Sequence, residues 1–287
     1  MVEAKIGVIG GSGLYQIDGV SDLREMKMET PFGEPSDSII TGTLQGVPMA
    51  FLPRHGKGHR LSPSEVPVRA NILALKSLGV ERIISISAVG SLKENIHPLD
   101  LVIPDQIIDR TRGRVSTFFG RGLVAHIGFS EPFCPHLSQI LHQTAKKLGA
   151  KAHHGGTCVV MEGPAFSTKA ESHLYRSWGA SIVGMTALPE AKLAREAEIC
   201  YATLAFVTDY DCWHESADPV SVEMVVANLM QNAETAKSIL RTAMPAMALE
   251  RTCECGSALK DTIITSRECI PGPLKHELAP LIRKYVE

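Results

Sequence analysis

Apolar residues along this chain gather in short runs set off by turn signals, and the runs alternate between two spacings. Ile6 to Ile9 is a continuous apolar run that stops at Gly10-Gly11-Ser12-Gly13, which predicts a buried strand opening into a glycine loop. Ser38 to Leu44 and Val47 to Leu52 flank Gln45-Gly46 and predict a hairpin. Val68, Ile72, Leu75 and Leu78 then recur at helical spacing up to Gly79, and RIISISAVG follows as a buried strand. Leu101 to Ile108 reads as another strand. Pro135 opens a helix through Leu137, Ile140, Leu141, Ala145 and Leu148 that Gly149 stops.

The alternation continues to the end of the regular pattern. Thr157 to Met161 is a strand, the loop EGPAFS comes next, and Thr168 with Glu171 stand at capping-box spacing ahead of a helix. Ser181 to Val183, a helix over about Pro189 to Glu198, the strand YATLAFVTDYD and a long helix from Ser221 to Met244 complete it. Strand after helix after strand predicts an α/β chain of one domain over residues 1–287. Residues from about 245 to 287 read as a C-terminal extension with a CxC segment and a terminal helix, and periodicity does not place them. Open α/β sheets gather ligands at the carboxyl ends of their strands, so the loops there are the place to look for chemistry.

Charge and composition narrow the partners. A formal net charge of -2 over 287 residues supplies no basic field for nucleic acid or an anionic membrane, so a small-molecule ligand is expected. No apolar run reaches about 18 residues and MVEAKIGVIGG enters a strand directly, which predicts a cytoplasmic protein. Most of the seven cysteines lie in apolar stretches, where the simple reading is a small buried hydrophobe. Cys253 and Cys255 stand apart. Two thiols are too few for a structural zinc ion unless Cys269 or a histidine joins them; otherwise they are a redox-labile pair or surface thiols without a role.

The strand exits carry the candidate chemistry. GGSG can present backbone N–H groups and the Ser12 hydroxyl to an anion, yet it lacks the lysine of a P-loop and a G-x-G-x-x-G fingerprint, which counts against a dinucleotide-dependent dehydrogenase. Arg54-His55-Gly56, Ser87-Ala88-Val89-Gly90-Ser91 and Met185-Thr186 are three further exits; the guanidinium suits phosphate oxygens. Thr208-Asp209-Tyr210-Asp211-Cys212-Trp213 closes an apolar strand, and strand alternation would aim Asp209 and Asp211 to one side. Burial and mutual repulsion should raise both carboxyls, so that one can protonate a leaving base as glycosidic cleavage demands. A metal pair is the rival, without His or Glu at a fitting spacing, and a solvated turn is the third reading.

Taken in order, GGSGL, PRHG, SAVGS, SEPFCP, EGPAFS, GMTALPEAKLARE and VTDYDCW resemble the 5'-methylthioadenosine phosphorylases of the trimeric purine nucleoside phosphorylase superfamily, from about Ile6 to Ser238. The resemblance implies a single α/β domain with a central mixed, partly barrelled sheet flanked by helices, in a homotrimer or a dimer of trimers. It implies phosphate contacts at Ser12, Arg54, His55, Ser87 with Ala88, and Thr186. Met185 falls against the ribose, Phe166 on the purine face, Asp209 and Asp211, preceded by Thr208, on the adenine edge, and His126 in a neighbouring subunit's site. Three positions agree with a methylthioadenosine type: Asp209 where 6-oxopurine enzymes carry Asn, Ser167 in place of their purine-binding Glu, and Val225 in place of their sugar-binding His. Val220, Val222 and Val225 would line an apolar pocket for a thioether methyl. Inorganic phosphate is then a co-substrate, with no metal or organic cofactor. Relatives that prefer adenosine, methylthioinosine or inosine, and a silent nucleoside-binding protein, are the alternatives. The tail after Met244 resembles the cysteine-bearing tails of some prokaryotic members.

Overall fold

The computed structural model describes residues 4–11, 18–214 and 222–286; Ser12, Val220 and the expected helix start at Ser221 lie outside them. Among the described residues, eleven strands form one mixed sheet. Its trunk is β1 (Ile6–Gly10), β4 (Val47–Pro53), β5 (Arg82–Ser91) and β11 (Cys200–Asp209), all parallel to one another where they pair. The hairpin partner β3 (Ile39–Leu44) joins β4 through Gln45 and Gly46, both at positive φ, the backbone a two-residue hairpin turn needs.

The sheet forks at β5, which pairs with β1, with β11 and, at its end, with β10 (Ile182–Gly184). A ten-residue strand with three partners makes β5 the branch point of the sheet. Strand β9 (Thr157–Met161) extends one branch from β10. The expected single strand over Leu101 to Ile108 is two: β6 (Leu101–Ile103) pairs with β11 and β8 (Ala152–His154), while β7 (Gln106–Arg110) pairs with β9. Pro104 between them has no N–H for a ladder. Strand β2 (Val20–Met26) was not legible, because it is a mostly exposed edge strand without an apolar face.

Helices cover both faces. Side chains of β11 alternate between them: Tyr201, Ala205 and Val207 face one apolar cluster and Ala202, Leu204 and Phe206 the other. The first cluster takes α1 (Val68–Ser77), α4 (Ala187–Glu196) and α7 (Ala279–Val286); the second takes α2 (Pro135–Lys147) and α5 (Val222–Ala248). Helix α3 (Lys169–Ser177) opens with the expected capping box of Thr168 and Glu171. Helix α4 is kinked at Leu188, so its regular part begins at Pro189 as expected. Helix α5 passes the expected stop at Met244 and continues through Pro245, because Met244 and Met247 are both fully buried under it.

The tail forms two short 3-10 turns, then α6 (Gly272–Glu277) and α7. Cys253 and Cys255 are not surface thiols: Cys255 is buried, Cys253 half-buried, and both join Cys134 and Cys200, whereas Cys269 is exposed elsewhere. No helix among the described residues is long and apolar enough to cross a membrane.

Candidate active site

Because β1, β4, β5 and β11 run parallel, their carboxyl ends share one edge of the sheet, and the flagged loops leave from it. The Arg54 N–H donates to the Gly10 carbonyl (2.9 Å), joining two of these exits. Strand β10 runs back along β5, with Ile182 opposite Ser91 and Val183 opposite Gly90. Continuing that register brings Thr186 beside Ser87, and their hydroxyls lie 3.2 Å apart. Thr186 occupies the position before α4 without capping it, so its hydroxyl remains available at the edge. Ala88, next to Ser87, is partly exposed there.

Arg54 is held differently from a free phosphate fork. It is 3% exposed; Nε donates to Glu190 Oε1 (2.5 Å), and Nη2 to Ser85 Oγ (2.6 Å) and Glu190 Oε2 (3.2 Å). Nη1 donates to the Ile86 carbonyl (2.9 Å). Burial works against its charge, and the Glu190 carboxylate outweighs that and raises its pKa. Tyr201 also donates to Glu190 (2.9 Å). Glu190 and Tyr201 were invisible as site residues in the sequence, since nothing in local spacing couples positions 54, 190 and 201.

His55 faces the Leu61 carbonyl with Nδ1 (2.8 Å) and stacks on His59 at 4.2 Å. A carbonyl only accepts, so Nδ1 carries the proton. Burial first, then the charge of Arg54, lowers its pKa to about 4. His55 is therefore neutral near pH 7 and its Nε2 is an acceptor.

The two acids are brought together by a bulge and a turn rather than by strand alternation. Pairing shifts between Val207 and Asp209, and Asp211 has a left-handed backbone with φ of 51°. Asp209 Oδ1 accepts from the Asp211 N–H and Oδ2 from the Thr208 hydroxyl, both at 2.7 Å. Gly90 lies beneath: a Cβ there would meet Asp209 Oδ1 at 3.0 Å and Asp211 Cβ at 3.2 Å. Burial raises the pKa of Asp209, with the Thr208 hydroxyl and the Asp211 N–H opposing and the Asp211 charge adding. Burial also raises Asp211, eased by nearby Ser172 and Ser167 hydroxyls. Yet Asp211 Oδ2 is buried with no hydrogen-bond partner among the described residues, as is Ser172 Oγ. The Trp213 indole N–H donates to the Ser91 carbonyl (2.7 Å) and its ring carries the Arg176 guanidinium at 3.4 Å, which anchors the turn.

The remaining residues take their places around this edge. Phe166 is 49% exposed on the loop before α3. Ser167 is half-buried: its carbonyl accepts from the Cys212 thiol and its hydroxyl points at the Met161 sulfur. Met185 is packed under Gly163, where a Cβ would come within 2.5 Å of its sulfur. Arg114, which the sequence did not single out, donates to the carbonyls of Met185 (2.6 Å), Leu188 (2.8 Å) and Glu162 and so ties that loop to the kink before Pro189. Asn228 on α5 donates to the Thr208 carbonyl (2.6 Å). Val225 is half-buried and Val222 63% exposed on the first turns of α5. The structure does not bring His126 into the cluster; it is exposed on a segment whose N–H bonds to Thr262 in the tail.

The chain belongs to the phosphorylase superfamily, whose family model matches residues 5–245. Within it, the chain is 58% identical to S-methyl-5'-thioadenosine phosphorylase of Koribacter versatilis over 99% of this chain and 97% of that one. It is also 58% identical to the enzyme of the same name from Geobacter sulfurreducens, covering 99% and 100%. Among solved structures it matches a methylthioadenosine phosphorylase from an antarctic soil metagenomic library with a TM-score of 0.94, 52% identity and coverage of 98% and 99%. A mutant adenosine/methylthioadenosine phosphorylase of Schistosoma mansoni in complex with methylthioadenosine matches with a TM-score of 0.83, 34% identity and 98% coverage of both chains.

Proposed function

We propose that this chain cleaves 5'-methylthioadenosine with inorganic phosphate, giving adenine and 5-methylthio-ribose 1-phosphate, a reaction of purine and methionine salvage. One observation carries the reading: two buried acids, Asp209 and Asp211, stand together at the end of β11 and in the turn after it, on the edge where the Ser87 and Thr186 hydroxyls converge, and burial raises both carboxyls. Such a pair can donate to N7 of an aminopurine and accept from its amino group, whereas a 6-oxopurine offers another acceptor there.

In this mechanism Ser12, Ser87, Thr186 and the backbone at Ala88 hold phosphate on one side of the sugar. Arg54, already paired with Glu190, contributes its remaining Nη1 hydrogen and local charge. Neutral His55 accepts the P–OH hydrogen at Nε2. The phosphate charge stabilises the cationic ribosyl group as the C1'–N9 bond breaks. Those electrons pass into the base, Asp209 delivers a proton to N7, and a phosphate oxygen bonds to C1'. Burial raises the pKa of Asp209, which favours the protonated form that this step draws on. Phe166 and Met185 cover the base and the ribose, Ser167 and Thr208 border the base, and Val220, Val222 and Val225 receive the methylthio group. No metal or organic cofactor enters any step.

A homotrimer, or a pair of trimers, belongs to the same proposal; the exposure of Phe166 and His126 in the single chain supports it. Light scattering should give three or six chains per particle. The deciding experiment is incubation with methylthioadenosine, with and without phosphate, and measurement of free adenine. Adenine should appear only with phosphate, and faster than the base from adenosine or inosine. Release without phosphate, or none in either arm, would refute the reading.

A further inference from the structure

Far from the catalytic edge, three separate chain segments deliver four cysteines to one point. Cys134 precedes α2, Cys200 opens β11, and Cys253 and Cys255 belong to the tail after α5. Their sulfurs all lie within 4.8 Å of one another, and Cys200 and Cys253 approach to 3.3 Å. Cys200 and Asp209 stand at opposite ends of a ten-residue strand, roughly 30 Å apart at strand rise. The cluster therefore takes no part in the chemistry proposed above.

We infer that Cys134, Cys200, Cys253 and Cys255 form a structural tetrathiolate site for one zinc ion, which pins the C-terminal tail to the core. A tetrahedral Zn²⁺ with Zn–S bonds of about 2.3 Å sets its four sulfurs about 3.8 Å apart, within the observed spread. A polynuclear iron–sulfur cluster would hold the sulfurs further apart around its metal core. Four sulfurs converging on one point also fit a single shared ion better than two separate disulfides, each of which needs only its own pair at about 2.05 Å.

Half of the site is built by the sheet itself. The Cys134 N–H donates to the Tyr201 carbonyl (2.8 Å) and the Cys200 N–H to the Glu81 carbonyl (3.0 Å), which fixes these two thiols side by side. The Leu137 N–H points at Cys134 Sγ (3.5 Å), so this sulfur caps α2 at its positive end, where a thiolate is favoured. Leu141, Ala145, Met244 and Met247 pack in the same apolar cluster as these cysteines. The CxC segment then supplies the other two ligands from the tail. Binding converts up to four thiols to thiolates, with their protons released to solvent.

The test is metal analysis of the untagged full-length protein purified without chelator or added reductant. One zinc per chain is expected, released by a mercurial reagent as the thiols are titrated. Exchange with cobalt should give the intense visible bands of a tetrahedral thiolate complex. In the Cys253→Ser/Cys255→Ser variant zinc should be lost and Tm should fall by about 10 °C or more, with phosphate-dependent adenine release at 25 °C kept within about twofold. Should that variant not fold, Cys255→His, which keeps four ligands, should still bind one zinc. Metal-free protein whose denatured mass is lower by about 2 Da per disulfide would overturn the proposal. So would four free thiols that take up no zinc from an equimolar solution, or a different metal in the native protein.

Discussion

Glu190→Gln tests the electrostatics of the phosphate side directly. Glu190 is 1% exposed and accepts from Arg54 at 2.5 and 3.2 Å, from Ser85 at 3.2 Å and from Tyr201 at 2.9 Å. Glutamine keeps the volume but removes the charge, which leaves a buried guanidinium without its counter-ion. Breaking one side of a buried pair costs about 3–5 kcal/mol. At about 2–4 °C per kcal/mol for a chain of this order of size, Tm should drop by about 6–20 °C. If Arg54 borders the phosphate site, bound phosphate becomes its only nearby anion in the variant. Phosphate should then bind the variant more tightly than the parent, by about tenfold or 1.4 kcal/mol, and recover part of the lost Tm through linkage. The assay is thermal unfolding of both proteins across a phosphate series, with chloride at matched ionic strength as control. Equal phosphate-induced shifts in the two proteins would remove Arg54 from the phosphate site, and an unchanged Tm would refute the energetics of the pair.

Three further outcomes are expected. Asp209→Asn should lower kcat/KM for methylthioadenosine by about 100-fold, the usual scale of a lost proton donor, and shift preference toward 6-oxopurine nucleosides; unchanged adenine kinetics would clear Asp209 of its role. Gly90→Ala adds a Cβ that meets Asp209 Oδ1 at 3.0 Å and both Asp211 Cβ and Val183 Cγ1 at 3.2 Å, so it should cost about 1–3 kcal/mol of stability and about tenfold in kcat/KM, with phosphate affinity kept. A variant with parental kinetics would show that the acids are not held by this contact. His55, lowered to about 4 in the folded chain, is neutral there while an unfolded histidine protonates near pH 6.5. Its contribution is thus complete above pH 6.5 and lost as pH falls toward 4, on the order of 3 kcal/mol. Urea unfolding of the parent and His55→Gln at pH 7 and 4.5 should show the steeper acid loss in the parent; parallel losses would contradict it.

Much of this architecture could be read from local pattern. Runs such as RIISISAVG and YATLAFVTDYD are apolar on both faces and became central strands, and Thr168 with Glu171 capped a helix where expected, because these features depend on neighbours within a few residues. Strand β2 and the break at Pro104 escaped, the first for want of an apolar face and the second because a single proline decided which strands could pair. At the site, the residue types at the strand ends pointed to the edge of the sheet where the structure gathers Arg54, Ser87, Thr186, Asp209 and Asp211.

What the residues do there is another matter. The sequence by itself determined that hydroxyls, an arginine, a histidine and two acids leave the sheet at strand ends. Only the tertiary structure decided that Arg54 is consumed by Glu190, that a bulge and a left-handed turn aim Asp209 and Asp211, and that Cys253 and Cys255 meet Cys134 and Cys200. Charge compensation, burial and ligand convergence act between groups adjacent in space yet far apart in the chain, and no local spacing encodes them.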